Sequence, residues 1–174
     1  MRTVLLISTL ALGGCINQPQ IYAPPIQREP VLDGQPPKPP KDMLRMSDRE
    51  TDSYIIQDIP KGSPDPWRWT GQRPTVRLFV EDLKDRKLVV DYSIVEATMK
   101  DTGPLKFTFF VNDQPLATVA EDKTGVKHFE KLIPPEMLKA NADNVLAVEV
   151  DKVWIAPGDG AHLGFLLGAV GLTH

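Results

Sequence analysis

The sequence lacks several features that define common protein classes. A single cysteine among 174 residues excludes an intrachain disulfide framework and a zinc cluster built on cysteines. The 20 Lys+Arg are outnumbered by 23 Asp+Glu, so the basic surplus typical of nucleic-acid binding is missing and no nucleic-acid partner is expected. No apolar run approaches the ~20 residues that span a bilayer as a helix. With 41% hydrophobic and 25% charged residues, the composition nevertheless indicates a globular domain.

Catalytic and metal-binding motifs are also missing. No serine downstream of the N-terminal apolar run stands in a Gly-x-Ser-x-Gly elbow, and no His-x-x-x-His pair offers a zinc site. Calcium needs about six to eight oxygen ligands, and no Asp-rich run supplies them locally. We therefore expect no enzyme activity, no metal and no cofactor. A hydrolase whose two carboxylates are brought together by the fold, about 5–10 Å apart, is kept as a third hypothesis.

The N-terminus has the pattern of an export signal. Arg2 precedes the apolar run 4–12, which is too short to span a membrane and is typical of a signal peptide. The run ends in Leu12-Gly13-Gly14-Cys15, which resembles the lipobox of bacterial lipoproteins. That resemblance implies a signal peptide over 1–14, diacylglycerol and N-acyl lipid (palmitate-type chains) on Cys15, and a bacterial cell-envelope location. The absence of Asp after Cys15 favours the outer membrane over the inner one.

Prolines are concentrated downstream of Cys15. Twelve of the 17 prolines lie between residues 16 and 74, with Pro-Pro pairs at 24–25, 36–37 and 39–40. Proline removes a backbone donor and biases its predecessor towards extended conformations, so neither a helix nor a central strand is expected from residue 16 to about residue 41. We predict that residues 15–49 contain the lipidated cysteine and a disordered, extended proline-rich stalk. A short helix is expected over Asp42–Glu50, where 47–50 resembles a capping box.

Beyond Trp67 the hydrophobic pattern changes to period two. Alternating runs indicate strands over 76–80, 88–95, 105–111, 116–119, 126–133 and 145–150, and 162–172 is apolar enough for a central strand. Turn residues separate these runs, and Pro134-Pro135 opens one helical turn. We therefore predict an all-β fold, an antiparallel β-sandwich occupying residues 50–174.

Several segments resemble the galactose-binding-like jelly-roll superfamily. The run 111–116 resembles its V-N-G-x-x-L hairpin, 129–138 the strand leading into I-P-x-x-L-L, 144–150 its N-x-L-x-V-E-V strand, and 163–167 its closing strand. The resemblance implies a jelly-roll sandwich. Many members of that superfamily bind carbohydrate through loops at one edge, whereas others only pack against a neighbouring domain.

Two groups of residues are candidate ligand- or partner-binding sites. Trp67-Arg68-Trp69 offers indole faces that stack on sugar C–H surfaces and a guanidinium that bonds hydroxyls or a carboxylate. The alternative is that both tryptophans close the end of the sandwich while Arg68 faces water. Trp154 either lines an edge cleft or is an aromatic residue at the margin of the core. Asp159 and His162 flank the loop after Trp154 and complete the candidate set.

Two functional hypotheses follow. The favoured one is a lipid-anchored, non-catalytic envelope protein whose sandwich acts as an accessory or scaffold in a surface or secretion-type assembly. Its partners would be the membrane, through the lipid on Cys15, and an envelope protein complex. The alternative is a carbohydrate-binding module for peptidoglycan or exopolysaccharide, with Trp67, Trp69 and Trp154 as its platform.

Overall fold

The computed structural model describes residues 41–63 and 65–174. The predicted signal peptide, Cys15 and the proline-rich segment up to residue 40 lie outside the described residues. The described part of the chain contains twelve β-strands, a short α-helix and two 3₁₀ helices. None of its helices is long and apolar enough to cross a membrane.

The first sheet is antiparallel and is built around the C-terminal strand. Its strands are β1 (Met43–Arg45), β3 (Arg68–Trp69), β5 (Lys87–Ile94), β8 (Gly125–Leu132) and β12 (Leu166–Thr173). Their order is β1-β12-β5-β8, and β3 pairs with β12. Because β3 pairs with Leu166 and Leu167 while β1 pairs with residues 169–171, the two short strands follow one another along the same edge of β12.

The second sheet faces the first and carries the remaining long strands. It consists of β2 (Ile55–Gln57), β4 (Thr75–Val80), β6 (Leu105–Val111), β7 (Gln114–Glu121) and β9 (Ala142–Val150). Their order is β2-β4-β9-β6-β7. The β6–β7 hairpin turns through Asn112 and Asp113, both at positive φ (49° and 62°), as expected of a two-residue turn that matches the strand twist. A separate two-stranded ribbon pairs β10 (Trp154–Ile155) with β11 (His162–Leu163).

The chain crosses between the two sheets at most of its long connections. It passes from β4 in the second sheet to β5 in the first, returns to β6 and β7, and crosses again to β8, to β9 and finally to β12. This connectivity, with antiparallel neighbours throughout, is that of a jelly-roll sandwich. The predicted all-β class and the antiparallel sandwich are therefore confirmed.

Aromatic rings fill the space between the sheets. Tyr92, Phe107 and Phe165 are almost completely buried, with ring centroids 4.9 to 5.9 Å apart. Phe129 of β8 stacks on Phe109 of β6, which ties the outer strand of the first sheet to the second sheet. Since each buried aromatic side chain removes a large apolar area from water, this cluster contributes much of the packing energy of the fold.

The sandwich begins earlier in the chain than the sequence indicated. The helix predicted over Asp42–Glu50 is wrong, because 43–45 form β1 and the 3₁₀ helix spans Arg49–Ser53. Leu44 and Met46 are fully buried and β1 pairs with β12. Residues 43–49, which the sequence analysis assigned to the linker, therefore belong to the sandwich.

Two further elements differ from the expectations. The α-helix α1 (Glu96–Thr102) was not predicted, since it is short and its N-cap residue, Val95, makes no side-chain cap bond. The apolar run 162–172 is not one strand: β11 and β12 are separated at Gly164. A Cβ at Gly164 would lie 2.4 Å from the carbonyl oxygen of Gly71, so the chain passes too close to its neighbour there for another residue.

Candidate functional site

The two tryptophans of the Trp-Arg-Trp segment lie on the outer side of the first sheet. In the β3–β12 pair, Arg68 is opposite Leu167 and Trp69 is opposite Leu166. Leu167 is a core residue, so Arg68 points inward and the alternation of an extended chain directs Trp69 and Trp67 outward. Both indoles are half-buried. The two tryptophans of the candidate set therefore lie on one face of β3.

Arg68 occupies a position that neither sequence interpretation gave it. The residue is only 3% exposed, its Nε donates a hydrogen bond to the carbonyl oxygen of Met46 (2.9 Å), and its Nη1 pairs with the Asp52 carboxylate. The hydrogen bond from Arg68 lowers the pKa of the Asp52 carboxyl, and a hydrogen bond from the backbone N–H of Gly62 makes the second-largest contribution to lowering it. Arg68 thus holds β3 from the inside through Nε and Nη1, while its Nη2 is buried without a hydrogen-bond partner.

A cavity of about 330 Å³ opens beside Trp69. We call it the end cavity. It is lined by Asp58, Ile59, Pro60, Trp69, Thr70, Gly71, His162 and Leu163. The cavity combines an indole and aliphatic surface with one carboxylate and one exposed imidazole. This mixture of an apolar wall with a few polar groups is typical of small-molecule sites.

The part of the end-cavity wall formed by Asp58 is held in place by backbone contacts of its loop. Asp58 adopts a positive φ of 59°, and its side-chain Oδ2 accepts a hydrogen bond from the backbone N–H of Arg73 (2.9 Å). Its carbonyl oxygen accepts another from Gly71 N–H (2.8 Å). A Cβ at Gly71 would lie 2.8 Å from Asp58 Cγ. The glycine therefore allows the Asp58 side chain to lie close to the strand that carries Trp69.

Trp154 supports Trp69 but is not among the residues that line the end cavity. The two indole centroids are 6.2 Å apart with the planes tilted by 31°, and Trp154 Nε1 donates to Asp101 Oδ2 (2.7 Å). Asp101 belongs to α1, whose C-terminal end is held by Lys152 through the carbonyl oxygen of Thr102 (2.8 Å). No sequence pattern indicates this support, because Asp101 and Trp154 are far apart in the chain.

The other two candidates, Asp159 and His162, lie at different places in the two-stranded ribbon: Asp159 in its turn and His162 on β11. Asp159 is exposed in the turn, where its Oδ1 accepts a hydrogen bond from Ala161 N–H (3.0 Å), and it does not line the end cavity. His162 pairs with Ile155 and does line it. Within residues 41–63 and 65–174, no three His, Cys, Asp or Glu side chains converge as a group able to hold a metal ion.

The chain is similar to known proteins in its three-dimensional structure and not in its sequence. No protein-family model matches the sequence, and no curated protein matches it. Among solved structures, the chain is similar to a family 35 carbohydrate-binding module from an environmental isolate: 14% identity, 69% of this chain and 81% of that chain covered, TM-score 0.43. It is also similar to a family 35 module in complex with a disaccharide containing glucuronic acid: 10% identity, 77% and 94% covered, TM-score 0.39.

A third similar structure is a much longer enzyme. It is an exo-β-1,3-galactanase from Phanerochaete chrysosporium, solved with galactose, with 12% identity and a TM-score of 0.43. The match covers 77% of this chain but only 29% of the enzyme. At such low identities and TM-scores, the likeness assigns neither a ligand nor a binding residue to this chain.

Proposed function

We propose that the sandwich is a non-catalytic carbohydrate-binding module and that the end cavity is its binding site. The observation that carries the proposal is the half-buried Trp69 at the wall of a cavity of about 330 Å³, with Asp58 and His162 beside it. An indole stacks on the apolar C–H face of a sugar ring, and polar side chains next to it bond the hydroxyls at the ring's edge.

The arrangement of Trp69 is suited to binding because its surroundings hold it in place before a ligand arrives. Trp154 packs beside it, and the buried Arg68 fixes the strand that carries it. A side chain that is ordered before binding loses less conformational entropy when the ligand binds. The scaffold hypothesis favoured by the sequence analysis has no comparable set of contacts behind it in the described part of the chain, so we prefer the carbohydrate hypothesis.

The test is binding to immobilised neutral and acidic polysaccharides, including peptidoglycan, followed by titration with soluble oligosaccharides. Trp69→Ala removes the stacking surface and should weaken binding by roughly tenfold or more, since each factor of ten corresponds to about 1.4 kcal/mol. His162→Ala changes an exposed side chain, so the fold is expected to persist and binding to weaken.

The matched control is Phe79→Ala. Phe79 is an exposed aromatic residue (37%) on β4 in the other sheet, and its loss should leave binding unchanged. Circular dichroism checks that each variant folds. Failure of the wild-type protein to bind any glycan, or equal binding by all three variants, would contradict the proposal.

We also propose that the module is displayed on a bacterial membrane through lipid on Cys15. The support is the sequence Leu12-Gly13-Gly14-Cys15 after an apolar run, because more than one acyl chain gives stable anchoring. Expression in a diderm bacterium with labelled palmitate should label the wild-type chain and not Cys15→Ala. Sucrose-gradient separation of the two membranes then tests the outer-membrane location, and an unlabelled wild-type protein would refute the anchor.

A further inference from the structure

A second depression, of about 340 Å³, lies on the outer face of the first sheet next to Trp67. We call it the face depression. It is lined by Arg45, Ser47, Pro66, Trp67, Asp91, Val126, Gly168 and Ala169. Four strands of the first sheet and the segment before β3 contribute to it. The face depression is therefore part of the sandwich surface and is not formed by a single loop.

Small residues of β12 create the space that Trp67 uses. The pairing of β12 with β5 shifts register between Leu167 and Ala169, at Gly168. A Cβ on Gly168 would lie 2.6 Å from Cζ3 of Trp67, so the six-membered ring of the indole rests against the glycine. Gly168 and Ala169 form a surface without large side chains beside the indole of Trp67. Val126, which is 69% exposed, lies next to this surface.

The rim of the face depression carries groups of both signs. Arg45 is exposed on β1, and Asp91 lies on β5, where its Oδ1 is 2.7 Å from Nδ1 of His128 on β8. Ser47 adds a hydroxyl. A rim with donors and acceptors but without an excess of one charge fits hydroxyl groups, which both donate and accept, better than it fits an ion.

A smaller depression of about 200 Å³ shares lining residues with both the face depression and the end cavity. It is lined by Pro60, Ser63, Asp65, Trp67, Arg68 and Trp69. It shares Pro60 and Trp69 with the end cavity and Trp67 with the face depression. The three hollows therefore adjoin one another along β3, and the two outward indoles separate them.

We propose that the three hollows form one groove that binds an internal segment of a linear, neutral polysaccharide. The inference rests on the proposed carbohydrate-binding function and specifies its ligand. Two residues of an extended strand advance about 6.6 Å, so Trp67 and Trp69 offer successive stacking surfaces to neighbouring parts of one chain. A single sugar occupies only the end cavity, whereas a longer chain continues past Trp69 to Trp67 and the rim of Arg45 and Asp91.

The experiment is calorimetric titration of the full protein with glucose, xylose, galactose and mannose and with their oligosaccharides of two to six units. In the series that binds, affinity should rise with length by about tenfold or more, the contribution of one aromatic anchor. Trp67→Ala should abolish this gain and leave the affinity for the monosaccharide unchanged. Trp69→Ala should weaken the binding of every length.

Two additions keep the test decisive. Arg45→Ala changes an exposed side chain at the rim, so it should fold even if Trp67→Ala does not, and it should reduce the gain with length. Oligosaccharides modified at both ends should bind as well as unmodified ones, because an internal segment needs no free end.

The outcomes separate the two proposals. An affinity that is no higher for any oligosaccharide than for the monosaccharide, or a length gain that survives both Trp67→Ala and Arg45→Ala, overturns the extended groove and leaves the end cavity as the site. A requirement for a free chain end or for a carboxylated sugar overturns it as well. If no oligosaccharide or polysaccharide binds the wild-type protein, the carbohydrate-binding function itself fails, and the groove with it.

Discussion

Asn144 is the polar residue whose removal should destabilise the sandwich most clearly. It is completely buried at the start of β9 and makes four hydrogen bonds. Its Oδ1 accepts from Lys139 N–H (2.8 Å) and from Asn112 Nδ2 (2.7 Å). Its Nδ2 donates to the carbonyl oxygens of Lys139 (2.8 Å) and Ala142 (3.0 Å). Asn144→Ala removes all four.

The loss of unfolding free energy depends on which of the former hydrogen-bond partners of Asn144 can bond to another group or to water. A net loss of about 1 kcal/mol per hydrogen bond is usual, and more when a buried partner is left unpaired. Lys139 is exposed, so water can reach its backbone groups. Asn112 Nδ2 also donates to the carbonyl oxygen of Met137 (2.8 Å) and is not left without a partner. We therefore expect Asn144→Ala to cost about 2–4 kcal/mol of unfolding free energy, which lowers the Tm by roughly 8–16 °C.

The assay is urea unfolding of the purified protein, followed by fluorescence and circular dichroism. The matched control is Asp143→Ala, because Asp143 is the exposed neighbour on the same strand and its loss should change stability by less than about 0.5 kcal/mol. A cycle with Asn112→Ala should show the two changes to be less than additive by about 1 kcal/mol. A cost for Asn144→Ala no larger than that of the control, or strict additivity with Asn112→Ala, would refute the network.

Two further predictions concern the surface of the first sheet. Gly168→Ala places a Cβ 2.6 Å from Cζ3 of Trp67, so the indole must move. It should change the near-ultraviolet circular dichroism and cost about 1 kcal/mol or more, whereas Gly158→Ala, with no atom within 4 Å of the new Cβ, should do neither. The hydrogen bond to Asp91 raises the pKa of His128 above 6.5, so its stabilisation is complete below that pH and is lost as the pH rises through the raised pKa. NMR titration should show this shift, and a wild-type value equal to that of Asp91→Asn would contradict it.

Four of the long strands were predictable because each buries one face. In β4, β5, β6 and β9, apolar residues recur at every second position, which is the period of a half-buried strand. All four strands are present. β1 has only three residues, too few for a period to be recognised. Its burial depends on pairing with β12, more than a hundred residues later in the chain. Such short elements are stabilised by tertiary contacts that a local pattern does not contain.

The candidate site was predictable in its residue types and not in its assembly. The spacing of Trp67 and Trp69 requires a common face in an extended chain, and this is what the structure has. No local pattern indicates that Arg68 between them forms an ion pair with Asp52 or that Trp154 is held by α1. These contacts depend on loop paths, which the turn residues permit but do not specify.

The inward position of Arg68 explains how a strand of only two residues can carry a binding surface. Two backbone pairs with β12 are too few to fix β3. The residues on either side of Arg68, Trp67 and Trp69, are large indoles that point outward and gain little free energy from contact with water. Burying a guanidinium has a large desolvation cost that its hydrogen bonds must offset. For Arg68 the offset comes from Nε and Nη1, which are hydrogen-bonded, whereas Nη2 is buried without a hydrogen-bond partner. The hydrogen bond to Met46 joins β3 to the residue that follows β1. The bond to Asp52 joins β3 to the 3₁₀ helix Arg49–Ser53. Arg68 thus keeps Trp67 and Trp69 aligned along one edge of the sheet, as the proposed site for a continuous chain requires.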